Sequence, residues 1–268
     1  MMYKIIFTDL DGTLLPSNKR MSDYTKEIIQ RVRYMGVKFV LASGRSIPSM
    51  RIFHQELGLD EPIISYNGAY IEHLGQEIYY RALEPSSAEI LMQFAVENHL
   101  YFHYYNKDQL TTLDTYAEHP ELLSYSQRNS LTPIALAKES LDFSQVTKWM
   151  FVEQNRENLE KIASQVEKLL GNKANMSFTS DIFFEVYSHE VNKGNAAQYI
   201  MHMYGLKAED SISFGDNYND IELVSMAQLG FAMKNGPDAL KKIATMQTKY
   251  TCDQDGVARI LEEIFLQK

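Results

Sequence analysis

Two aspartates, Asp9 and Asp11, stand two residues apart where an apolar run, YKIIFTDL, gives out. On an extended chain that spacing turns both carboxylates to one side, and Gly12 behind them lets the backbone leave the strand sharply. Carboxylates this close repel, and one titrates high unless a cation holds them. The pair suits a metal-assisted step with one ionised nucleophile and one proton carrier. A strand end with two solvated acids is the plain alternative, and an Asp-x-Asp also holds the metal of nucleotide-sugar transferases. Alone it decides little.

Three other groups narrow the choice. Ser43-Gly44-Arg45 directly follows the apolar segment VKFVLA, residues 37–42. A hydroxyl and free backbone N–H groups at a helix N-terminus make an anion site; a simple Ser43 helix cap is the alternative. Lys193-Gly194 opens a helical stretch, where a cation matches the helix dipole badly. The lysine makes sense there if an anion lies between it and the helix end, a solvated surface Lys being the alternative. Gly215-Asp216-Asn217-Tyr218-Asn219-Asp220 follows SISFG. Asp216 is a hard oxygen ligand of the kind Mg²⁺ prefers, and Asn219 and Asp220 can orient the loop or cap the next helix. A polar turn with an Asx cap explains one or two of these residues but not the run.

The elements that must position them follow from the pattern. Strands are expected at 3–10, 37–43 and 61–67, separated by helices at 22–35, with Ser22 as N-cap and Gly36 just beyond, and at 48–57. Such alternation builds a parallel sheet with helices on its faces. Residues 68–81 read as a hairpin turning near Leu74-Gly75. Between 83 and 184 the order changes to helix (86–98), strand (100–105), a mixed segment, strand (147–153), helix (156–170) and a strand pair (174–187). Helix 193–204, strand 211–215, helix 220–227 and strand 229–233 then resume the first pattern. The expectation is an α/β, Rossmann-like parallel-sheet core from residues 1–82 and 185–268, interrupted by an α+β domain at 83–184. Acids at the ends of strands 3–10 and 211–215, and the turn after 37–43, fall on one carboxyl edge, where open α/β sheets gather ligands. Lys193 enters from the start of the intervening helix.

Composition sets the boundaries. The 268 residues suffice for one large or two unequal domains, and the single cysteine, Cys252, cannot form an internal disulfide. A reducing cytoplasm fits. No stretch approaches the roughly 20 apolar residues of a membrane span, and the first residues lack the apolar core of a signal peptide. A formal charge of −9 argues against nucleic acid or an anionic membrane as partner. A small anionic substrate stays compatible, because a bound cation dominates its own pocket. No obligate protein partner is evident.

Four motifs in order, Asp9-Leu10-Asp11-Gly12-Thr13-Leu14, Leu41-Ala42-Ser43-Gly44-Arg45, Lys193-Gly194 and Gly215-Asp216-Asn217 with Asn219-Asp220, resemble those of the haloacid dehalogenase-like (HAD) superfamily. More narrowly the chain resembles its Cof-type phosphatases with a type IIB cap. Ser65-Tyr66-Asn67-Gly68-Ala69, Gly230-Phe231-Ala232-Met233 and Asp255-Gly256-Val257-Ala258 also echo that group, while Asn235-Gly236 stands where Asn-Ala is more common. The resemblance implies a HAD core with an inserted, specificity-setting cap at 83–184, and an Mg²⁺-dependent phosphatase acting on a small phosphorylated metabolite. It implies that Asp9 attacks phosphorus to form an aspartyl-phosphate and that Asp11 is the acid and base. It implies Mg²⁺ on Asp9, the Asp11 carbonyl and Asp216. It implies a phosphoryl group gripped by the Leu10 N–H, Ser43, Gly44, Lys193 and Asn219. Gly12, Thr13, Arg45, Gly215, Asn217 and Asp220 support these loops. Sugar phosphates, pyridoxal phosphate and flavin mononucleotide all stay open as substrates. A sugar phosphomutase, or a phosphometabolite-binding regulatory protein with vestigial hydrolysis, are the alternatives.

Inside 83–184, Tyr101-Phe102-His103-Tyr104-Tyr105 is unusually aromatic. On a strand, Tyr101, His103 and Tyr105 share one face and are candidate substrate contacts for a sugar or ring-bearing phosphate. A half-buried sheet covered by helices is the alternative. Trp149, beside Met150 and Phe151, reads as packing.

Overall fold

A computed structural model describes residues 3–129 and 131–267. The apolar run after the N-terminus forms β1 (Ile5–Thr8), buried along its whole length, as a central parallel strand requires. Ser22 caps α1 (Asp23–Tyr34), its Oγ accepting the Thr25 N–H at 3.0 Å, and Ile28, Ile29 and Val32 recur on the buried side. Next come β2 (Lys38–Leu41), α2 (Ile47–Glu56) and β3 (Ile63–Ser65). β4 (Tyr70–His73) and β5 (Gln76–Tyr80) follow, with Leu74 and Gly75 at positive φ in the turn between them.

The middle of the chain contains α3 (Pro85–Glu97), β6 (Phe102–Asn106), β7 (Gln109–Leu113), α4 (Pro120–Asn129) and β8 (Ile134–Leu136). It continues through β9 (Val146–Val152), α5 (Arg156–Leu170), β10 (Ala174–Phe178) and β11 (Phe183–Ser188). The mixed segment of the sequence reading is thus β7, α4 and β8. The chain then adds α6 (Lys193–Met203), β12 (Ser211–Gly215), α7 (Ile221–Met226) and β13 (Leu229–Ala232). It closes with α8 (Asp238–Ile243), a two-residue β14 (Met246–Gln247) and α9 (Gly256–Phe265).

The fold is α/β with added antiparallel sheets. Two compact units emerge, Met1–Tyr79 with Asn192–Lys268, and Tyr80–Val191. In the first, a parallel sheet runs in the order β14-β13-β12-β1-β2. A single parallel bridge, Ala42 to Ile64, joins its edge to β3. Ile5, Phe7, Val40, Ile64, Ala197 and Ile200 share one apolar cluster, which fixes α6 against the sheet. No described helix is long and apolar enough to cross a membrane.

The second unit is a six-stranded sheet in the order β10-β11-β9-β6-β7-β8. Phe102, Trp149, Phe151 and Phe184 pack with Leu91 of α3 and Leu159 and Ile162 of α5 in one core. Trp149 is fully buried there, its ring stacked on Phe102 at 4.4 Å. Tyr101, His103 and Tyr105 do share the opposite face, but that face is sealed and all three are buried. Tyr125 of α4 meets Tyr105, Oη to Oη, at 2.9 Å and packs on His103, while His119 stacks on Tyr101. The polar atoms are paired internally, so these residues make a covered sheet and not the lining of a substrate pocket.

His103 shows what the seal does. The Met150 thioether, 3.3 Å from Nε2, can only accept, so Nε2 carries the proton and Nδ1 accepts from the Tyr101 hydroxyl at 3.0 Å. Burial, helped by the nearby Lys148 ammonium, pushes the imidazole down to about 3. Between that value and the ordinary histidine range the unfolded chain takes up a proton that the folded chain refuses, so stability falls as pH drops through that window. Lowering the pH from 7 to 5 should therefore cost the wild type about 2 kcal/mol more than His103→Leu. Urea unfolding at the two pH values measures this; parallel losses in the two proteins would show that His103 protonates freely when folded.

Candidate active site

The carboxyl edge of the parallel sheet gathers the polar residues. Asp9 follows β1, Ser43 lies just past β2, and Asp216 follows β12. Lys193, the first residue of α6, is completely buried, and its Nζ donates to Asp9 Oδ1 and to Asp220 Oδ1, each at 2.6 Å. The other oxygen of Asp220 accepts the backbone N–H groups of Asp216 (2.9 Å) and Asn217 (3.0 Å). Asp220 thereby closes the turn after Gly215 and anchors the lysine. Asn217 Oδ1 accepts the Tyr218 N–H within the same turn.

Oxygens of Asp9, Asp216 and Asp220 all lie within 4.8 Å of one another. Burial drives the Asp9 carboxyl well above the usual carboxylate range; Lys193 opposes this, while Asp220 and Asp216 repel and add to it. Asp216 is pushed up to about 6, by burial first and then by Asp220, against a hydrogen bond from Thr13 Oγ1 at 2.9 Å. Burial works against the Lys193 ammonium, yet Asp220 and Asp9 more than offset it and raise its pKa. Three carboxylates face one ammonium, a formal excess of two negative charges in a buried place.

Asp11, two residues from Asp9, lives in a different field. Arg45 grips it with two prongs, Nε to Oδ2 at 2.6 Å and Nη2 to Oδ1 at 2.7 Å, and Lys19 Nζ reaches Oδ1 at 2.7 Å. Burial opposes the charge on Asp11, but Arg45 and Lys19 outweigh it and hold the carboxyl below its ordinary value. Gly12, at φ 84°, turns the chain directly after Asp11, and any Cβ there would run into the Asp216 carboxylate. Asn235 Nδ2 donates to the Gly12 carbonyl at 2.8 Å, and its Oδ1 accepts the Cys252 N–H at 3.2 Å. Asn235-Gly236, set outside the chemical motifs by sequence, therefore holds the loop that carries them.

Leu10 is buried, its carbonyl accepting the Leu15 N–H at 2.7 Å. Ser43 is buried beside Gly44, and its Oγ accepts the Arg45 N–H at 3.3 Å. Asn219 Nδ2 donates to Asn67 Oδ1 at 2.9 Å. The core-motif residues singled out by sequence come together on this edge, whereas Tyr101, His103 and Tyr105 belong to the other unit and are buried within it. Sequence reasoning gave no site role to Lys19, Asn67 or Asn235. The signals were a lysine within reach of Asp11, the Ser65–Ala69 stretch that echoes the Cof-type group, and the Asn235-Gly236 pair, none of which states what the side chains touch.

A family model described as haloacid dehalogenase-like hydrolase matches residues 6–261. The chain belongs to that family. The HAD-like chain is 29% identical over 290 residues to the 5-amino-6-(5-phospho-D-ribitylamino)uracil phosphatase YitU of Bacillus subtilis, with 97% of each chain covered. It is 30% identical to a haloacid dehalogenase-like hydrolase of known structure from Bacteroides thetaiotaomicron, with a TM-score of 0.84 over 98% of this chain and 100% of that one. The HAD subclass IIB sugar phosphatase BT4131, 21% identical, shares the fold with a TM-score of 0.81, 97% of this chain and 98% of that one being covered. HAD-like hydrolases are enzymes that generally use a divalent metal.

The residues present fit such an ion. Carboxylate oxygens are the hard donors it takes, and the excess of two negative charges matches its own charge. Asp9 and Asp216 are the donors left over, since Lys193 and the turn N–H groups occupy both oxygens of Asp220. Lys193→Met should leave Asp9 and Asp220 buried without a counter-charge and cost about 3–5 kcal/mol of stability. Chemical denaturation of this HAD-like chain and its variant reads that directly; a cost below about 1 kcal/mol would mean the cluster is solvated rather than held by the lysine.

Proposed function

We propose that the protein is a Mg²⁺-dependent phosphatase of small phosphorylated metabolites, sugar phosphates or similar phosphomonoesters, working through an aspartyl-phosphate on Asp9. The observation that carries this reading is the buried Lys193 bridging Asp9 and Asp220 beside Asp216. Such a cluster offers a fixed nucleophile, a cation and a metal-suited carboxylate in one water-poor place. Three charged groups arranged this way suit phosphoryl transfer, where catalysis is mostly positioning and charge neutralisation.

Lys193 holds one Asp9 oxygen and so fixes the plane of the carboxylate. Asp9 attacks phosphorus, the ester P–O bond breaks, and Asp11 gives its proton to the departing alkoxide oxygen. Asp11 then takes a proton from the water that cleaves the aspartyl-phosphate, restoring Asp9. The Arg45 and Lys19 contacts favour the ionised Asp11 of the second half. Both Asp11 oxygens are engaged by them, so one contact must loosen before Asp11 can present a proton to a leaving group. Mg²⁺, held by Asp9, Asp216 and the Asp11 carbonyl, would neutralise charge on the phosphoryl oxygens. Thr13 orients Asp216, and Ser43, Gly44, Lys193, Asn219 and the Leu10 N–H receive the phosphoryl group. The inserted unit, residues 83–184 in the sequence reading, is proposed to select the leaving group. The sugar phosphatase and YitU, each aligned over nearly its whole length, support small phosphorylated metabolites as the substrate class.

Phosphate release from p-nitrophenyl phosphate and a panel of phosphometabolites, with Mg²⁺ or with EDTA, tests the reading. Many turnovers per enzyme are expected with Mg²⁺ and none with EDTA. Asp9→Asn should lower kcat on the order of 10⁴-fold. A folded, phosphate-binding wild type that releases nothing from any ester would replace the phosphatase by a binding protein.

A further inference from the structure

Asn67 lies in none of the four motifs, yet the turn that carries it, Tyr66–Gly68, ties three of them together. The Asn67 N–H donates to the Ser43 carbonyl at 3.0 Å and the Tyr66 N–H to the Arg45 carbonyl at 3.1 Å, which laces the turn to the loop after β2. Asn219, in the loop after β12, donates to Asn67 Oδ1. A Cβ at Gly68 would strike the carbonyl of Asn192, the residue before Lys193. One turn thus touches the Ser43 loop, the start of α6 and the Asn219 loop.

Backbone needs favour glycine or asparagine here, and they do not require the amide to be buried. Asn67 sits at φ 57°, ψ 22°, a left-handed conformation that glycine adopts with less strain. Its side chain is almost completely buried, at 2% exposure, and while Oδ1 has its partner, Nδ2 has none among the described residues. A buried amide N–H without an acceptor is rare and calls for one. Space beside it is kept open, because a Cβ on Gly44 would stand 2.9 Å from Asn67 Oδ1 and 3.3 Å from Nδ2. The polar neighbours on this edge, the Asn219 amide and the Lys193 ammonium, are likewise donors. Asn219 and Lys193 have acceptors in Asn67, Asp9 and Asp220, so the unmet donor is Asn67 Nδ2, and an oxyanion at this edge would match it.

We infer that Asn67 is a further phosphate-binding residue, its Nδ2–H donating to a non-bridging oxygen of the phosphoryl group while its Oδ1 positions Asn219. This rests on the phosphatase reading for the identity of the anion, but it assigns a contact that none of the four motifs contains. The amide reads phosphate and leaves the ester's organic part unread, so its loss should weaken all substrates alike.

Calorimetric titration of inorganic phosphate, in the presence of Mg²⁺, into wild type, Asn67→Gly and Asn67→Asp tests it. Glycine keeps the left-handed turn and removes the amide; aspartate keeps the shape and replaces the donor with a carboxylate. Phosphate affinity should fall about tenfold in Asn67→Gly and about a hundredfold in Asn67→Asp, as expected for a hydrogen bond to an anion and for its replacement by a like charge. Melting temperatures should stay close to wild type. A folded Asn67→Gly that binds phosphate within about twofold of wild type overturns the inference. Should both variants fail to fold, the assigned Asn67 side-chain amide signals in ¹⁵N-labelled wild type decide it: a shift on adding phosphate supports the contact, and no shift overturns it. The two readings fail separately. Ester turnover by wild type with normal phosphate binding in the variants sinks only the role of Asn67. Phosphate binding that depends on Asn67, with no ester ever hydrolysed, sinks only the phosphatase.

Discussion

An ammonium with no exposure to solvent can exist only where carboxylates receive it, and Lys193 meets two of them at 2.6 Å. Taking this charge out of water is costly, and removing the lysine would leave two buried carboxylates without their counter-charge. The contact therefore fixes the end of β1, the start of α6 and the turn after β12 relative to one another. Asp220 extends the constraint through the N–H groups of Asp216 and Asn217, and Asp216 passes it to Thr13. Three stretches distant in sequence, 9–13, the start of α6 and 216–220, are held by one network whose members cannot shift singly. The apolar packing of α6 on the sheet, through Ala197 and Ile200, supplies the rigid backing.

Two aspartates separated by a single residue end up with opposite electrostatics. Asp9 is raised by burial and by neighbouring carboxylates, while Asp11 is lowered by Arg45 and Lys19. The division is geometric. An extended chain turns both side chains to one side, but the positive φ of Gly12 bends the path just past the pair, and the Asp216 carboxylate fills the space where a Cβ would stand. Asp9 then shares its surroundings with two other acids, and Asp11 shares its own with two cations. Environments that push paired acids apart are the general means by which one motif supplies two chemical roles.

The sequence made the sheet and its edge legible because both depend on local pattern. Apolar runs ending in polar residues marked β1, β2 and β12, and Ser22 marked the start of α1 within a residue. Even the oddity of Lys193 at a helix start pointed to an anion. What local pattern could not give was the partner: Asp9 lies 184 positions away from Lys193 and Asp11 lies 34 from Arg45. Pairings of that span depend on strand order, which the motifs do not spell out. Asn67 and Asn235 were missed for the same reason, since an Asn-Gly pair signals a turn regardless of what its side chain touches. The aromatic run at 101–105 left two readings open, a substrate face or a sheet covered by helices. Alternation put Tyr101, His103 and Tyr105 on one face, but only the placement of α4, with Tyr125 over that face, decided that it is interior.

That sealing bears on where selectivity for a substrate can arise. Aromatic rings paired with one another, as Tyr105 with Tyr125 and Tyr101 with His119, have their polar atoms and faces already occupied. To meet a ligand they would have to surrender those contacts and expose apolar surface, at a cost the ligand would have to offset. Meanwhile, among the described residues, the side chains of the Lys193 network and the Asp11 clamp come from residues 9–45 and 193–220, all within the first unit. Its chemistry rests on the Lys193 network and the Asp11 clamp, neither of which uses a side chain from the second unit. Substitutions in the second unit can accordingly accumulate without breaking the charge network. The aromatic face there is a part whose integrity those substitutions must preserve for packing, and it is a poor place to look for residues that distinguish one leaving group from another.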